Sequence, residues 1–406
     1  MSPSKSVVNL DGVRKTKVAN VFKGGLLAGT LRRTSSGVVE FRYDESYVSA
    51  GVPIAFSLPI TPEPVITPGG GVPAFFAGLL PEGYRLTSLR ERLKVSASDE
   101  LSLLLAVGAD TPGDVQILPE GVSVSYADAV EAPVIVDEEG ALDFSGLHSA
   151  LDLHALPGVQ DKVSSQMITA PVGGRLPQSI LKLNPPRYPG LVENEFAHLN
   201  AASALGLPVA SAKLLRDRHG EAGLLVRRFD RVDHGENGGV TRLALEDATQ
   251  IMGLTPAQKY NVAGEEVVHA LAEHCAAGMV VRRNLFMQFL FAWLTGNGDL
   301  HAKNVALLQV GDRWQVSPIY DVPSTLVYGD TTMALDIDGR RNKLRWRNWM
   351  HFGESIGLPE RAVLSAAKKA GDAAAGVDWE DLPFEGSPRN GALRELRFRR
   401  AELPTA

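Results

Sequence analysis

Apolar positions along this chain fall first at strand period and later at helix period, and the change divides it. Up to about residue 60, "KVANVFKGGLLAGTL" and "VVEFRYDESYV" are β-rich and broken by glycine, which predicts short strands. "FSLPITPEPVITPGGGVPAFFAGLLPEG" carries proline and glycine throughout and reads as loop. "YRLTSLRERLKVSASDELSLLLAVGAD" then takes up helical spacing, with Ser96 or Ser98 as the N-cap of its second helix. Between about 120 and 145 the chain turns acidic and weakly patterned, which places a domain boundary there. Strands follow at 163–169 and 179–183, a helix at about 193–205, and strands near 211–215 and 223–229. Helical spacing dominates the remainder, at 244–252, 256–275, 280–296 and in a set after 345. This pattern predicts an α+β architecture. It divides into a β-rich N-terminal module (1–120), a linker (121–145), a β/α part (146–235) and a helical lobe (236–406).

Composition narrows this picture only a little. With 406 residues, 44% hydrophobic and 22% charged, the chain has the make-up of an ordinary soluble protein with room for two domains. Its net charge of −6 gives no global case for nucleic acid or an anionic membrane as partner. Cys275 is the one cysteine, so no intrachain disulfide can form, and the reducing cytoplasm is the expected compartment. It sits in a helical pattern beside His274 and reads as a small core residue. The N-terminus has no apolar core of signal-peptide length. "LFMQFLFAWL" (285–294) falls short of the about 18 residues of a membrane span and reads as a buried helix.

The densest chemistry follows that helix, in "TGNGDLHAKNVALL", where Asp299, His301, Lys303 and Asn304 crowd into six positions. Asp299 and Asn304 stand at the Asp-to-Asn spacing of a protein-kinase catalytic loop. In phosphoryl transfer a carboxylate receives or orients the proton of the attacking hydroxyl, and a nearby amide oxygen holds a metal on the phosphates. A short loop anchored on a buried helix can place both groups at one γ-phosphate. "WQVSPIYDVPST" supplies a second carboxylate, Asp321. Upstream, "SILKLNPP" puts Lys182 on a strand, and Glu193 and Glu195 open the next helix as candidates to orient it. Each residue alone has a plainer reading, as a cap, a turn residue or a solvated side chain. Neither a G-x-G-x-x-G nor a Walker-type glycine motif is present, and "LPGVQDK" (156–162) carries a single glycine before a strand.

Over nearly its whole length the chain resembles the HipA toxin kinases. "FFAGLLPEG" and "LLAVGADTPGDVQILPEG" are similar to that family's N-terminal module. "ILKLNPPRYPGLVENEFAHLNAASALGLPVA", "LLVRRFDR", "LEDATQIMGLTPAQKY", "NGDLHAKNVALL" and "PIYDVPSTL" are similar to its kinase core. The resemblance implies a serine/threonine kinase of two subdomains that uses ATP and Mg2+. On its pattern Asp299 is the proton acceptor, Asn304 and Asp321 hold Mg2+, Tyr320 lies beside the nucleotide, and His301 and Lys182 meet phosphates. The loop Pro157, Gly158, Val159, Gln160, Asp161 and Lys162 would cover those phosphates, and Arg227, Arg228 and Phe229 would form the hinge at the adenine. Family members commonly carry an autophosphorylated serine three residues before the loop glycine; Ala155 stands there instead, with Ser164 and Ser165 as other hydroxyls nearby.

The resemblance also implies a helix-turn-helix antitoxin of HipB type as partner, with DNA reached only through it. The implied substrate is a protein of the translation machinery of the aminoacyl-tRNA synthetase class, whose phosphorylation arrests growth. Two other classes stay open: a small-molecule or lipid-type kinase, and a degenerate kinase serving as a binding or corepressor module. The basic run "RRNKLRWRNW" (340–349) could meet nucleic acid or an acidic protein, or be a solvated helix face with Trp346 and Trp349 packed inward.

Overall fold

The computed structural model describes residues 10–49, 51–124, 141–144, 167–172, 178–234 and 239–404. The N-terminal module is built on β1 (Val18–Lys23), β2 (Leu26–Arg33), β3 (Val39–Tyr43), β4 (Val65–Thr67) and β5 (Val115–Pro119). They form one antiparallel sheet in the order β4-β3-β2-β1-β5. Gly24 and Gly25, both at positive φ, make the two-residue turn between β1 and β2, the conformation a tight hairpin requires. Alternation buries Ala19, Val21, Leu31, Val39 and Phe41 on one face, against helices Ala74–Gly78 and Glu100–Val107.

Two expectations are corrected here. The proline- and glycine-rich segment holds β4 and the helix Ala74–Gly78, because Ile66 pairs at the sheet edge and Phe75 and Phe76 bury themselves under it. The N-cap is Asp99 in place of Ser96 or Ser98: its carboxylate accepts from the Ser102 N–H, while the two serine hydroxyls lie 3.0 Å from each other.

A second antiparallel sheet, in the order β6-β7-β9-β8, is made of β6 (Ile168–Val172), β7 (Ser179–Leu183), β8 (Ala212–Arg216) and β9 (Ala222–Arg227). Residues 163–166 of the expected first strand lie outside the described residues. Helix Leu191–Ala202 crosses between β7 and β8. A small hairpin, β10 (Arg231–Asp233) with β11 (Val240–Arg242), leads into the helical lobe.

The lobe contains a sheet that helical spacing hid: β12 (Leu245–Asp247), β13 (Ala306–Val310) and β14 (Arg313–Val316). The helix expected at 244–252 is therefore β12 followed by one turn, Ala248–Ile251. Asp247 ends the strand's pairing with Ala306 and caps that turn through a reciprocal bond pair with Gln250. The 256–275 helix is similarly a 3-10 turn, Pro256–Gln258, and a separate helix, Gly264–Glu273. Gly278–Thr295 is the buried helix, every residue from Leu285 to Thr295 being shielded from water. Helices Trp346–Ser355, Glu360–Ala375 and Gly386–Ala401 pack around it, with Trp349 and Phe352 fully inside. Of the basic run 340–349, only the last four residues are helical. No helix among the described residues is long and apolar enough to cross a membrane.

The module is joined to the β/α part and to the lobe by buried and half-buried polar contacts. Asp110 accepts from the guanidinium groups of Arg228 and Arg231, Gly113 N–H donates to Asp230, and the Gln250 amide donates to Phe75 O.

Candidate active site

On β7, Leu181 and Leu183 point into the core, so alternation turns Lys182 to the opposite face. Its Nζ donates to Glu195 Oε1 and Oε2 at 2.7 and 2.9 Å and to Asp321 Oδ1 at 3.0 Å. Burial works against the Lys182 ammonium, but Asp321 and Glu195 together outweigh it and raise its pKa, so the lysine stays charged. Glu195, almost fully buried, is pushed up by burial and held in check by Lys182. Glu193 goes elsewhere: it accepts from the Asn184 amide at 2.9 Å, and Asn184 Oδ1 accepts from Val192 N–H, which closes the strand-to-helix turn. Of the two expected glutamates, the structure brings one to Lys182.

Asp321 has φ +58, a conformation sparsely populated by residues with a Cβ. It is pinned there by Lys182 on its carboxylate and by donation of its own N–H to Glu195. Lys182, Glu195 and Asp321 thus form one three-membered cluster drawn from a strand, a helix and a loop.

The loop after the buried helix is rigid by construction. Gly296 ends the helix in the left-handed conformation, and Asn297 Oδ1 then accepts the Asp299 N–H at 2.8 Å. Gly298 N–H donates to Thr325 Oγ1, and Asn304 Nδ2 donates to Asp299 O at 2.9 Å. Asp299 is fully buried, and Tyr260 donates its hydroxyl to Asp299 Oδ1 at 3.0 Å. Burial, reinforced by that neighbouring carboxylate, raises the Tyr260 pKa, so the phenol remains a donor. The His301 ring meets the Tyr260 ring edge-on at 5.1 Å. Tyr320 donates to Lys303 O at 2.7 Å, while the Lys303 ammonium turns away to Gly78 O and Asp247.

A cavity of about 330 Å³ opens beside Lys182, Glu195, Lys303 and Tyr320; Asp299, His301, Asn304 and Asp321 are not among the residues that line it. Ile180, Ala210, Val226, Phe229 and Tyr320 give it apolar and aromatic walls, with Lys182 and Glu195 among its polar groups. Leu79–Glu82 and Asp110–Pro112 of the N-terminal module complete the lining. This is a small-molecule pocket in size and character. Phe229 leans on Tyr320 with ring centroids 5.5 Å apart. Arg227 is exposed at the strand end. Arg228 is buried, and its guanidinium faces Asp110 (2.8 and 2.9 Å), Asp230 and Thr111 O. Pro157, Gly158, Val159, Gln160, Asp161, Lys162 and Ala155 lie outside the described residues.

Among the described residues, no group of three or more His, Cys, Asp or Glu is placed to hold a metal by itself. Mg2+ takes only one or two carboxylates and completes its shell with water and phosphate oxygens. Asn304 commits its Nδ2 to Asp299 O, which leaves its amide oxygen as the side-chain group suited to a cation. Asp321, whose Oδ1 accepts from Lys182, is the carboxylate that could join it.

Tyr260 was not legible as a site residue: it lies 39 positions before Asp299, and nothing in its spacing reports the contact. Nor did the pattern announce that the N-terminal module lines the pocket.

The family model of the HipA-like C-terminal domain matches residues 154–377, and that of the HipA N-terminal domain matches 19–118. The chain belongs to the HipA family. Y4mE of Sinorhizobium fredii, which bears a provisional kinase name, is 30% identical over 92% of this chain and 95% of its own. The serine/threonine-protein kinase toxin HipA of Shewanella oneidensis is 25% identical over 86% of each chain. A solved structure of Shewanella oneidensis HipA with HipB and operator DNA superposes with a TM-score of 0.77. It covers 95% of this chain and 96% of that one at 22% identity, a likeness of fold.

Proposed function

We propose that this HipA-family chain is an ATP- and Mg2+-dependent protein serine/threonine kinase, acting in the cytoplasm as the toxin of a toxin–antitoxin pair. The observation that carries the reading is the Lys182–Glu195–Asp321 cluster beside an apolar pocket and an Asp299–Asn304 loop. An oriented ammonium in a kinase fold serves to hold nucleotide phosphates, and Glu195 orients this one.

In the proposed reaction the substrate hydroxyl oxygen bonds to the γ-phosphorus as the bond to the bridging oxygen breaks. ADP leaves, and Asp299 receives or orients the hydroxyl proton. Tyr260 holds Oδ1 of Asp299, which fixes the carboxylate plane against the incoming hydroxyl. Lys182 balances negative charge on the phosphates, and His301 lies near them. Mg2+, when held by Asn304 and Asp321, would offset charge on the leaving diphosphate. Phe229 and Tyr320 flank the base, with Arg227 and Arg228 contributing hinge backbone.

The relatives support a helix-turn-helix antitoxin of HipB type as partner, with DNA met through it. The substrate class would be an aminoacyl-tRNA synthetase or similar translation protein. With Ala155 in the family's regulatory serine position, this chain lacks that self-silencing step.

The test is transfer of labelled γ-phosphate from Mg-ATP into lysate proteins by the native chain and by Asp299→Asn. A discrete protein band that disappears in the variant supports the reading. Label entering only small molecules or lipid would favour a kinase of that other class. Normal antitoxin binding with neither ATP binding nor transfer would return the chain to a corepressor role.

A further inference from the structure

Glu82 belongs to the N-terminal module, yet its carboxylate reaches into the catalytic half. It stands at the N-cap of helix Gly83–Leu93, where a carboxylate ordinarily accepts from the first turn, and it makes no capping bond. Its Oε2 instead lies 2.5 Å from Lys259 Nζ and its Oε1 3.8 Å from Lys303 Nζ. Both lysines are largely buried, and each is wired to the Asp299–Asn304 loop. Lys303 lies within that loop, its carbonyl held by Tyr320 and its ammonium also bound to Gly78 O and Asp247. Lys259 accepts the Ala302 N–H on its carbonyl at 3.2 Å. The next residue, Tyr260, donates to Asp299, with the Lys259 ammonium 5.2 Å from its ring centre.

One carboxylate therefore faces two ammonium groups whose residues are tied to the same short loop, Lys259 through Ala302 and Lys303 as a member of it. Asp247 is the only other carboxylate paired with either lysine among the described residues, and it pairs with Lys303 alone, so removing Glu82 would leave the buried Lys259 ammonium without a carboxylate and Lys303 with one. Burial opposes the charge on Lys303, and Asp247 and Glu82 outweigh it, consistent with an ammonium that depends on both.

We propose that Glu82 is a positioning residue for phosphoryl transfer, by which docking of the N-terminal module holds the Asp299–Asn304 loop in register. The proposal rests on the kinase reading and adds that the catalytic loop is completed from another domain. Glu82 is at the pocket wall, but its carboxylate is turned to Lys259 and Lys303, so it acts through the loop. Its loss slows the chemical step and leaves nucleotide binding nearly intact, since Lys182, Phe229 and Tyr320 keep their places.

The experiment compares full-length native protein, Glu82→Gln, Lys303→Met and the double variant, measuring γ-phosphate transfer, melting temperature and amide hydrogen exchange. Glu82→Gln should lower kcat roughly ten- to a hundredfold, the scale of a loop moved out of productive geometry, with KM for ATP within about twofold. Exchange at 299–304 should quicken in Glu82→Gln. The double variant should lose less than the product of the two single losses, because both substitutions remove the Lys303 linkage while only Glu82→Gln removes the one to Lys259. Multiplying losses in the double variant, or a lower melting temperature with kcat and loop exchange unchanged, would overturn the proposal. An inactive native chain whose loop exchange still quickens in Glu82→Gln would sink the kinase reading and leave the brace standing.

Discussion

At the residue scale, what distinguishes this site is a lysine that cannot be replaced quietly. Lys182 is the counter-ion of two carboxylates, one of them nearly inaccessible to water. Lys182→Met keeps the length and the apolar stem but leaves Glu195 and Asp321 facing each other without a cation. Labelled transfer should fall by about a hundredfold or more, and unfolding in denaturant should show about 3 kcal/mol of lost stability. Unchanged transfer would remove Lys182 from the mechanism. Tyr260→Phe is a gentler probe of the same centre. It deletes one hydroxyl donor to Asp299 without opening a cavity, so kcat should drop about tenfold with little change in KM for ATP. A variant with native kcat would show that Asp299 needs no such orientation. Much of this scale was legible. Lys182, Asp299, Asn304 and Asp321 announce themselves by type and order. Glu195 could have been chosen over Glu193 from helix phase, since it shares the buried stripe of Val192, His198 and Leu199. Tyr260 could not, because its contact with Asp299 depends on how two distant turns pack.

At the scale of elements, the site depends on how the helix Gly278–Thr295 stops. Gly296 adopts φ +74, and a Cβ there would run into the Leu326 side chain. Gly298 has no unusual φ, but a Cβ on it would meet Thr332 O at 2.6 Å and Thr325 Oγ1 at 2.5 Å. Gly296→Ala therefore combines left-handed strain with a clash, costing roughly 1–3 kcal/mol in chemical denaturation. Because Asn297 and Asp299 follow directly, transfer per folded molecule should fall as well, by about tenfold or more. A variant that is destabilised but fully active per folded molecule would separate the helix stop from the positioning of Asp299. The glycine stop itself was readable, as was the buried helix before it. What misled helical spacing was β12: three residues, Leu245–Asp247, are too few to show alternation, and only their pairing with β13 makes them a strand. Local pattern records a residue's own face of the chain, and pairing partners 60 positions away leave little trace in it.

At the scale of the whole molecule, the module and the lobe share one polar seam, and one group in it should make their union depend on pH. Glu246 on β12 is buried, and both its oxygens lie within 3.2 Å of the Phe56 N–H of the N-terminal module. Burial pushes its pKa up to about 8, against the Phe56 N–H and Lys23, which lower it; Asp114 and Asp247 push it further up. The folded protein thus holds a proton on Glu246 that the unfolded chain releases near the ordinary value of 4.5. Where the folded state binds more protons, stability falls as pH rises. The loss begins above the unfolded pKa and is complete above the folded one. His198, lowered to about 4 by burial, acts in the opposite sense, but only up to its ordinary 6.5. Between pH 6.5 and about 8.5 the melting temperature of the native protein should therefore decline. Glu246→Gln, which keeps an acceptor for Phe56 and carries no charge, should flatten that decline and melt higher at the alkaline end. An equal slope in the two proteins would mean that Glu246 titrates normally and that the seam stays open to water. None of this could be read from the chain alone: a glutamate in "LALEDATQ" looks like any surface acid until a second domain covers it. The same covering carries Glu82 and Asp110 to the pocket, so the seam that makes stability pH-dependent is also the one that shapes the site.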